Sequence, residues 1–387
     1  MTHPFRFDEA DLPLVDAART AASAAAGAAS SVDAEARLPK EGLAGLRAAG
    51  LMGLTLPAAV GGRGRGMRAF AGVVEELGRA CASTAMIYVM HTCGAMAIAS
   101  AKELEGQGDL LSAIAAGKHL TTLAFSETGS RSHFWAPVSV LVEAPGGFTT
   151  SARKSWVTAA SAADSYVSSA LRPQAGSALE STIYLLRKGT RGVKVAGRFD
   201  GLGLRGNDSA PVELEAAPVR REDLISAPGA GADTLLGVVL PWFAVGTAAM
   251  SGGLCRAAVA ATATHLSAAR FEHTGQALRD LPTLRARIGQ MGVRTEQSRA
   301  LLGHAIASAE GADPAAALAI LQARRAALDA ALDVTDAAMR ACGGAAYSRH
   351  LPLERIFRDA RAGSVMAPTI DQLDDFIGRI LTGLPLF

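Results

Sequence analysis

Two short strings hold the residues best suited to chemistry: Ser126-Glu127-Thr128-Gly129-Ser130 and Lys154-Ser155-Trp156-Val157-Thr158. Small hydroxyls and glycine at the ends of apolar runs leave backbone N–H groups free and approachable. Trp156 and Thr158, two apart on one strand, are expected to point the same way. A flat aromatic beside a hydroxyl suits one face of a planar, hydrogen-bonding cofactor. An ordinary antiparallel hairpin with a core tryptophan would use the same residues. The elements that must position them are strands. Alternating segments near residues 138–143 and 147–151 are joined by Ala144-Pro145-Gly146-Gly147, a strand–turn–strand signal.

With Ala163-Asp164 following, the two strings resemble the flavin-binding β-domain of the acyl-CoA dehydrogenase family. The first motif is two residues shorter than usual, lacks its proline, and has Arg131 where an aspartate is common. The resemblance implies FAD, with Phe125, Ser126, Gly129, Ser130, Trp156 and Thr158 around it. Ser126 and Thr158 would hydrogen-bond the ring and Trp156 would lie against its face. The likeness extends to both ends of the chain. Near the start it rests on Gly50-Leu51-Met52-Gly53-Leu54, Gly61-Gly62, Val74-Glu75-Glu76-Leu77-Gly78 and a helix bearing His91. A lone histidine on an apolar helix is expected to be a satisfied core residue.

Near the end it rests on Cys342-Gly343-Gly344-Ala345-Ala346-Tyr347 and Arg358-Asp359-Ala360. There the resemblance implies that Arg270, Arg340, Gly343 and Gly344 serve the diphosphate or adenosine of a neighbouring subunit's flavin. An arginine fork pairs phosphate oxygens bidentately. Thr369 matches the family's threonine in the same region. The run after Arg270, Phe271-Glu272-His273-Thr274-Gly275, departs from the family's Phe-Gly pattern.

The main departure is at the base. Oxidation of an acyl thioester needs a group that takes the α-proton while hydride leaves the β-carbon. Eight residues past Asp359, where the family's commonest glutamate stands, this chain has Ala367. The family's other base position falls near Phe243 and Ala244, again without an acid. Three readings follow. The first is an FAD-dependent acyl-thioester dehydrogenase whose base comes from elsewhere; Asp371, one helical turn beyond, is the nearest acid, and Glu127 is expected to be structural. The second is a flavin monooxygenase, which needs no such base and for which Ser132 and His133 offer a polar pair. The third is a catalytically silent flavin- or acyl-binding subunit of a hetero-oligomer.

Length and composition bound the rest. The 387 residues suit two or three subdomains, and 49% hydrophobic residues with a mean hydropathy of +0.22 allow a large core. A net charge of +2 argues against nucleic acid as a partner. No run is read as a membrane span and no leader peptide opens the chain. Cys81, Cys93, Cys255 and Cys342 lack metal or disulfide spacing and suggest a reduced, cytoplasmic protein. The expected fold class is α+β, acyl-CoA dehydrogenase-like. A helical domain spans 1–120, a central antiparallel β-barrel-like domain 121–226, and a C-terminal four-helix bundle 227–387.

Residues 17–30, nearly pure alanine and serine, suggest a low-complexity surface helix. Residues 235–268 suggest a long helix interrupted at Pro241 and Gly252-Gly253. The glycine-rich run 200–207 looks like a phosphate loop but lacks the Gly-Lys-Ser/Thr continuation and a βαβ context. The expected substrate is an acyl thioester of coenzyme A or an acyl-carrier protein, in specialised metabolism. A homodimer or homotetramer, or a hetero-oligomer, is expected.

Overall fold

The computed structural model describes residues 3–131 and 133–387. Five helices come first: α1 (Leu12–Glu35), α2 (Lys40–Ala48), α3 (Met67–Ala80), α4 (Ala82–Ser100) and α5 (Gln107–Ala115). The alanine-rich α1 is not a surface helix. Val15, Ala18, Ala22, Ala25, Ala29 and Val32 recur at helical spacing and are buried against α2 and α3. Methyl-sized side chains let the helices approach closely, so low complexity here is a packing seam.

Seven strands follow: β1 (Thr121–Ala124), β2 (Val142–Ala144), β3 (Gly147–Val157), β4 (Ser165–Leu171), β5 (Ser181–Arg187), β6 (Val193–Val195) and β7 (Ala210–Arg220). They form two sheets, ordered β1-β4-β5 and β2-β3-β7-β6. All pairings are antiparallel except β1 with β4, which is parallel. The β2–β3 hairpin belongs to the other sheet, so the chain crosses over before returning beside β1. Phe148, Tyr166, Tyr184, Leu186, Val212 and Val219 fill the space between the sheets.

The remainder is helical: α6 (Gly231–Thr234), a π-turn over Leu235–Val239, α7 (Leu240–Ala268), α8 (Pro282–Glu310), α9 (Ala316–Cys342), α10 (Gly344–Tyr347), α11 (Leu353–Val365) and α12 (Ile370–Leu381). Helices α7, α8 and α9 pack on one another, and α11 and α12 pack on α9. Helix α7 is not interrupted. Pro241 sits in its first turn, where the continuous helical run from Gly231 changes from the π-turn to α7, and Gly252-Gly253 mark a crossing. A Cβ on Gly253 would lie 2.4 Å from the Glu75 carbonyl oxygen of α3. The two helical regions therefore share one continuous core.

Helix α4 and the segment Gly231–Ala268 are long and apolar enough to cross a membrane by length and composition, contrary to the sequence reading. The most apolar windows are 83% and 67% buried within the fold. Their apolar character is used for packing.

Buried polar groups lock the layers. Glu75 accepts from Arg299 Nε (2.7 Å) of α8 and from Arg256 Nη1 (2.9 Å) of α7. Burial pushes its carboxyl up, but His3, Arg299 and Arg256 together pull it down to about 2. His91 is fully buried as expected. The Thr121 N–H donates to its Nδ1 (3.2 Å), so its proton sits on Nε2, facing the Met52 carbonyl (3.2 Å). Burial lowers its pKa to about 4.

Candidate active site

A cavity of about 850 Å³ opens where α4, the ends of β1 and β3, the 199–209 loop, the start of α7, and α11 meet. The two sequence motifs form one wall because their backbones are zipped together. The Ser155 N–H donates to the Ser126 carbonyl (2.8 Å), and the Thr128 N–H to the Arg153 carbonyl (3.0 Å). Beneath them Lys154 Nζ and Glu127 Oε1 form a buried pair at 2.5 Å. Glu127 also accepts from the N–H groups of Val138 and Ser139, each at 2.8 Å. Burial raises the Glu127 pKa, but Lys154 and Ser139 outweigh it and hold the carboxyl low. Glu127 is structural, as its sequence context suggests.

Trp156 and Thr158 both line the cavity, though not by simple strand alternation. The β3–β7 register slips between Lys154 and Val157, and Trp156 has φ +58°. This bulge turns the indole outward, leaving it 69% exposed. A tryptophan in left-handed backbone costs of order 1–3 kcal/mol and marks a functional outlier. Thr158 is buried, with its hydroxyl 3.1 Å from Ser209 Oγ. Phe125, Ser126, Gly129 and Ser130 also line the cavity. Ser130 closes the turn by donating to the Glu127 carbonyl (3.0 Å). The Ser126 hydroxyl has no hydrogen-bond partner among the described residues, so it is available to a ligand.

The opposite wall was only partly legible. The glycine-rich run contributes Gly201, Leu202, Gly203, Leu204 and Asn207 to the lining. It is held from behind by α11: the Leu204 N–H donates to Asp359 Oδ1 (2.7 Å), and Arg358 Nη1 donates to the Leu202 carbonyl (3.0 Å). A Cβ on Gly203 would lie 2.4 Å from the Arg358 carbonyl oxygen. Arg358 is itself anchored by Asp33 (2.5 Å) and Glu354 (2.7 Å). Met86, Met90, Leu240 and Phe243 supply an apolar lining that no motif signalled.

The two expected catalytic residues both stand outside the cavity of their own chain. Asp371 is exposed in the first turn of α12 and does not line the cavity. His133 is also exposed outside it; Nδ1 lies 3.1 Å from the Ser130 carbonyl and the ring meets Trp135 edge-on. Ser132 lies outside the described residues. Thr369 is not at the cavity either. It caps α12, its hydroxyl accepting from the Gln372 N–H while Gln372 Oε1 accepts from the Thr369 N–H. Ala367 does line the cavity. Among the described lining residues the one carboxylate is Glu127, already committed to Lys154.

Arg270, Arg340, Gly343 and Gly344 are exposed and lie outside the cavity of their own chain. Arg270 donates to the Gly275 carbonyl (3.3 Å), and Arg340 pairs with Asp336 (3.0 Å). One chain alone does not bring them to Trp156.

Comparison with known proteins bears on this geometry. The family description "Acyl-CoA dehydrogenase, N-terminal domain" matches residues 8–118, and "Acyl-CoA dehydrogenase, C-terminal domain" matches 229–381. The cyclohex-1-ene-1-carbonyl-CoA dehydrogenase of Geobacter metallireducens is 30% identical over 339 residues, covering 87% of each chain. The chain belongs to the acyl-CoA dehydrogenase family. Another relative, the 3-sulfinopropanoyl-CoA desulfinase of Paraburkholderia xenovorans, is 27% identical over 379 residues, 96% of this chain and 95% of its own. The butyryl-CoA dehydrogenase structure from Megasphaera elsdenii shares the fold, with a TM-score of 0.91 at 21% identity over 97% of this chain and 99% of its own. This acyl-CoA dehydrogenase family member thus keeps the family's architecture around a cavity whose described lining residues include no carboxylate besides the paired Glu127.

Proposed function

We propose that this chain is an FAD-dependent oxidoreductase acting on an acyl thioester, carried by coenzyme A or by an acyl-carrier protein. The observation that carries the reading is the shelf at the cavity edge, where an open indole held in left-handed backbone stands beside the Ser126 and Thr158 hydroxyls. These residues fit a flavin. Trp156 would cover one ring face, and Ser126 and Thr158 would hydrogen-bond its edge. When bound, FAD supplies a hydride acceptor. Met86, Met90, Leu240 and Phe243 exclude water around an acyl chain.

The α-proton needs an acceptor other than a lining carboxylate of this chain, because Ala367 cannot take one and Glu127 is paired. That same absence favours a second reading on this scaffold, flavin-dependent oxygenation, which abstracts no α-proton. The exposed Arg270, Arg340, Gly343 and Gly344 support a homodimer or homotetramer in which they reach a neighbour's cofactor.

The test is anaerobic titration of the purified holoprotein with a short acyl-CoA. Bleaching of the flavin absorbance is expected. No bleaching, together with a flavin–oxygen adduct after chemical reduction and exposure to air, overturns the dehydrogenase reading in favour of oxygenation. A protein that neither contains nor takes up flavin overturns both.

A further inference from the structure

Asn207 lines the cavity and is only 2% exposed, yet its carboxamide makes no hydrogen bond among the described residues, and Oδ1 is buried without a partner. A buried amide left unsatisfied weakens a fold, and each such group in a native protein calls for an explanation. With Oδ1 closed off, Nδ2 is the polar atom that this side chain can offer to the cavity.

The backbone around Asn207 is held tightly. It ends the short 3₁₀ turn Arg205–Asn207, between Leu204 (φ +51°) and Asp208 (φ +52°), both in left-handed backbone. Such non-glycine residues persist only where their surroundings over-determine them. Here the Leu204 N–H is held by Asp359, the Gly206 N–H donates to Ser83 Oγ of α4 (3.2 Å), and Asp208 Oδ2 accepts from the Ser161 N–H (2.8 Å) and hydroxyl (2.6 Å). The Asn207 carbonyl accepts from the Ala159 N–H (2.8 Å), next to Thr158, and Ser209 Oγ lies 3.1 Å from the Thr158 hydroxyl. The unpaired amide is thereby carried at a fixed place beside Thr158.

We propose that Asn207 is a further flavin-holding residue, its Nδ2 donating to an acceptor atom on the ring edge that Thr158 also meets. The inference rests on the flavin reading above and adds a third side-chain partner to Ser126 and Thr158. A donor at that edge stabilises the electron-rich reduced ring more than the oxidised one, because added negative charge on the acceptor strengthens the hydrogen bond. Asn207 therefore favours reduction of the cofactor. A purely structural Asn207 would support the 199–209 loop and leave the cofactor's potential alone.

The test compares the unaltered protein with Asn207→Leu, which has a similar shape and no polar end, by fluorescence titration with FAD and by anaerobic redox titration of the bound flavin. FAD is expected to bind the variant about tenfold more weakly, the scale of one lost hydrogen bond that leaves its partner unpaired. The reduced form should lose about tenfold more than the oxidised form, a fall of about 30 mV in the two-electron midpoint potential. Should Asn207→Leu not fold, Asn207→Asp, which keeps the shape and loses the donor, carries the comparison, and its potential should fall at least as far. An unchanged or raised potential in the variant that folds overturns the inference, whatever happens to affinity, and leaves the flavin reading standing. Failure of the unaltered protein to take up FAD overturns the inference and the flavin reading together.

Discussion

The backbone N–H of Leu204 donates to Asp359 Oδ1 at 2.7 Å, tying one wall of the cavity to the helix that forms the next. The carboxyl is buried, and burial outweighs Arg355 and the Leu204 N–H, raising its pKa from 3.8 to about 6. A raised folded value means that stability from this group is fully present below 3.8 and is lost as pH rises through about 6. A shift of that size corresponds to about 3 kcal/mol. Asp359→Asn keeps the acceptor and removes the titration. Denaturant unfolding of both proteins at several pH values should show the stability difference changing between pH 4 and 6, and flat above it.

Trp156 is held in a strained backbone and contributes little to the core, so Trp156→Gly should separate stability from cofactor binding. The flavin-free variant should be more stable by about 1 kcal/mol, through relief of the left-handed conformation. Its flavin dissociation constant should rise about tenfold or more through lost stacking. Thermal melts and fluorescence titration measure the two effects. A variant that binds flavin normally would remove Trp156 from the cofactor site.

Glu75 joins α3 to α7 and α8 and has its pKa depressed from 4.5 to about 2. Its stabilising contribution is therefore present above pH 4.5 and is lost as pH falls through about 2. Glu75→Leu leaves Arg299 buried without its main partner, and should cost about 3–5 kcal/mol at neutral pH. The loss should narrow in strong acid, where the native pair has been protonated. Circular dichroism melts at neutral and acidic pH would show both.

Ala367 occupies the lining position from which a base would act, whereas Asp371 lies outside the cavity. Ala367→Glu should raise the rate of anaerobic flavin bleaching by butyryl-CoA by about a hundredfold, the usual scale of a positioned general base. Asp371→Asn should leave that rate unchanged. Stopped-flow absorbance of both variants checks this, and slowed bleaching in Asp371→Asn would return that residue to the chemistry.

Much of this site was readable before the fold was known, because Ser126, Trp156 and Thr158 sit in contiguous motifs whose neighbours form the strands that carry them. The orientation of Trp156 was not readable, since it comes from a register slip against β7, a distant partner. Gly252-Gly253 read as a break because glycine lowers helix propensity. Its close contact with α3 exists only once the helices cross. The 200–207 run drew notice for its glycines, but its place in the cavity depends on Asp359 and Arg358, far along the chain. Thr369 shows what a motif leaves out: besides the cofactor role that the resemblance implies, its geometry makes it the cap of α12. Asn207 itself gave no signal, because an asparagine in a loop is ordinary until its surroundings are known.

The neutral ring of His91 pins the first residue of β1, and four residues later the same strand gives way to Phe125 and Ser126. Its depressed pKa means that this clamp holds above pH 6.5 and loosens only as acidity carries it through about 4. Across the ordinary range of cellular acidity, then, the height of the shelf at the cavity edge is set by an uncharged rivet on a helix that touches the cavity through two methionines. Swapping that ring for a residue of similar bulk but no acceptor nitrogen would let the shelf drift without altering a single group that meets the ligand.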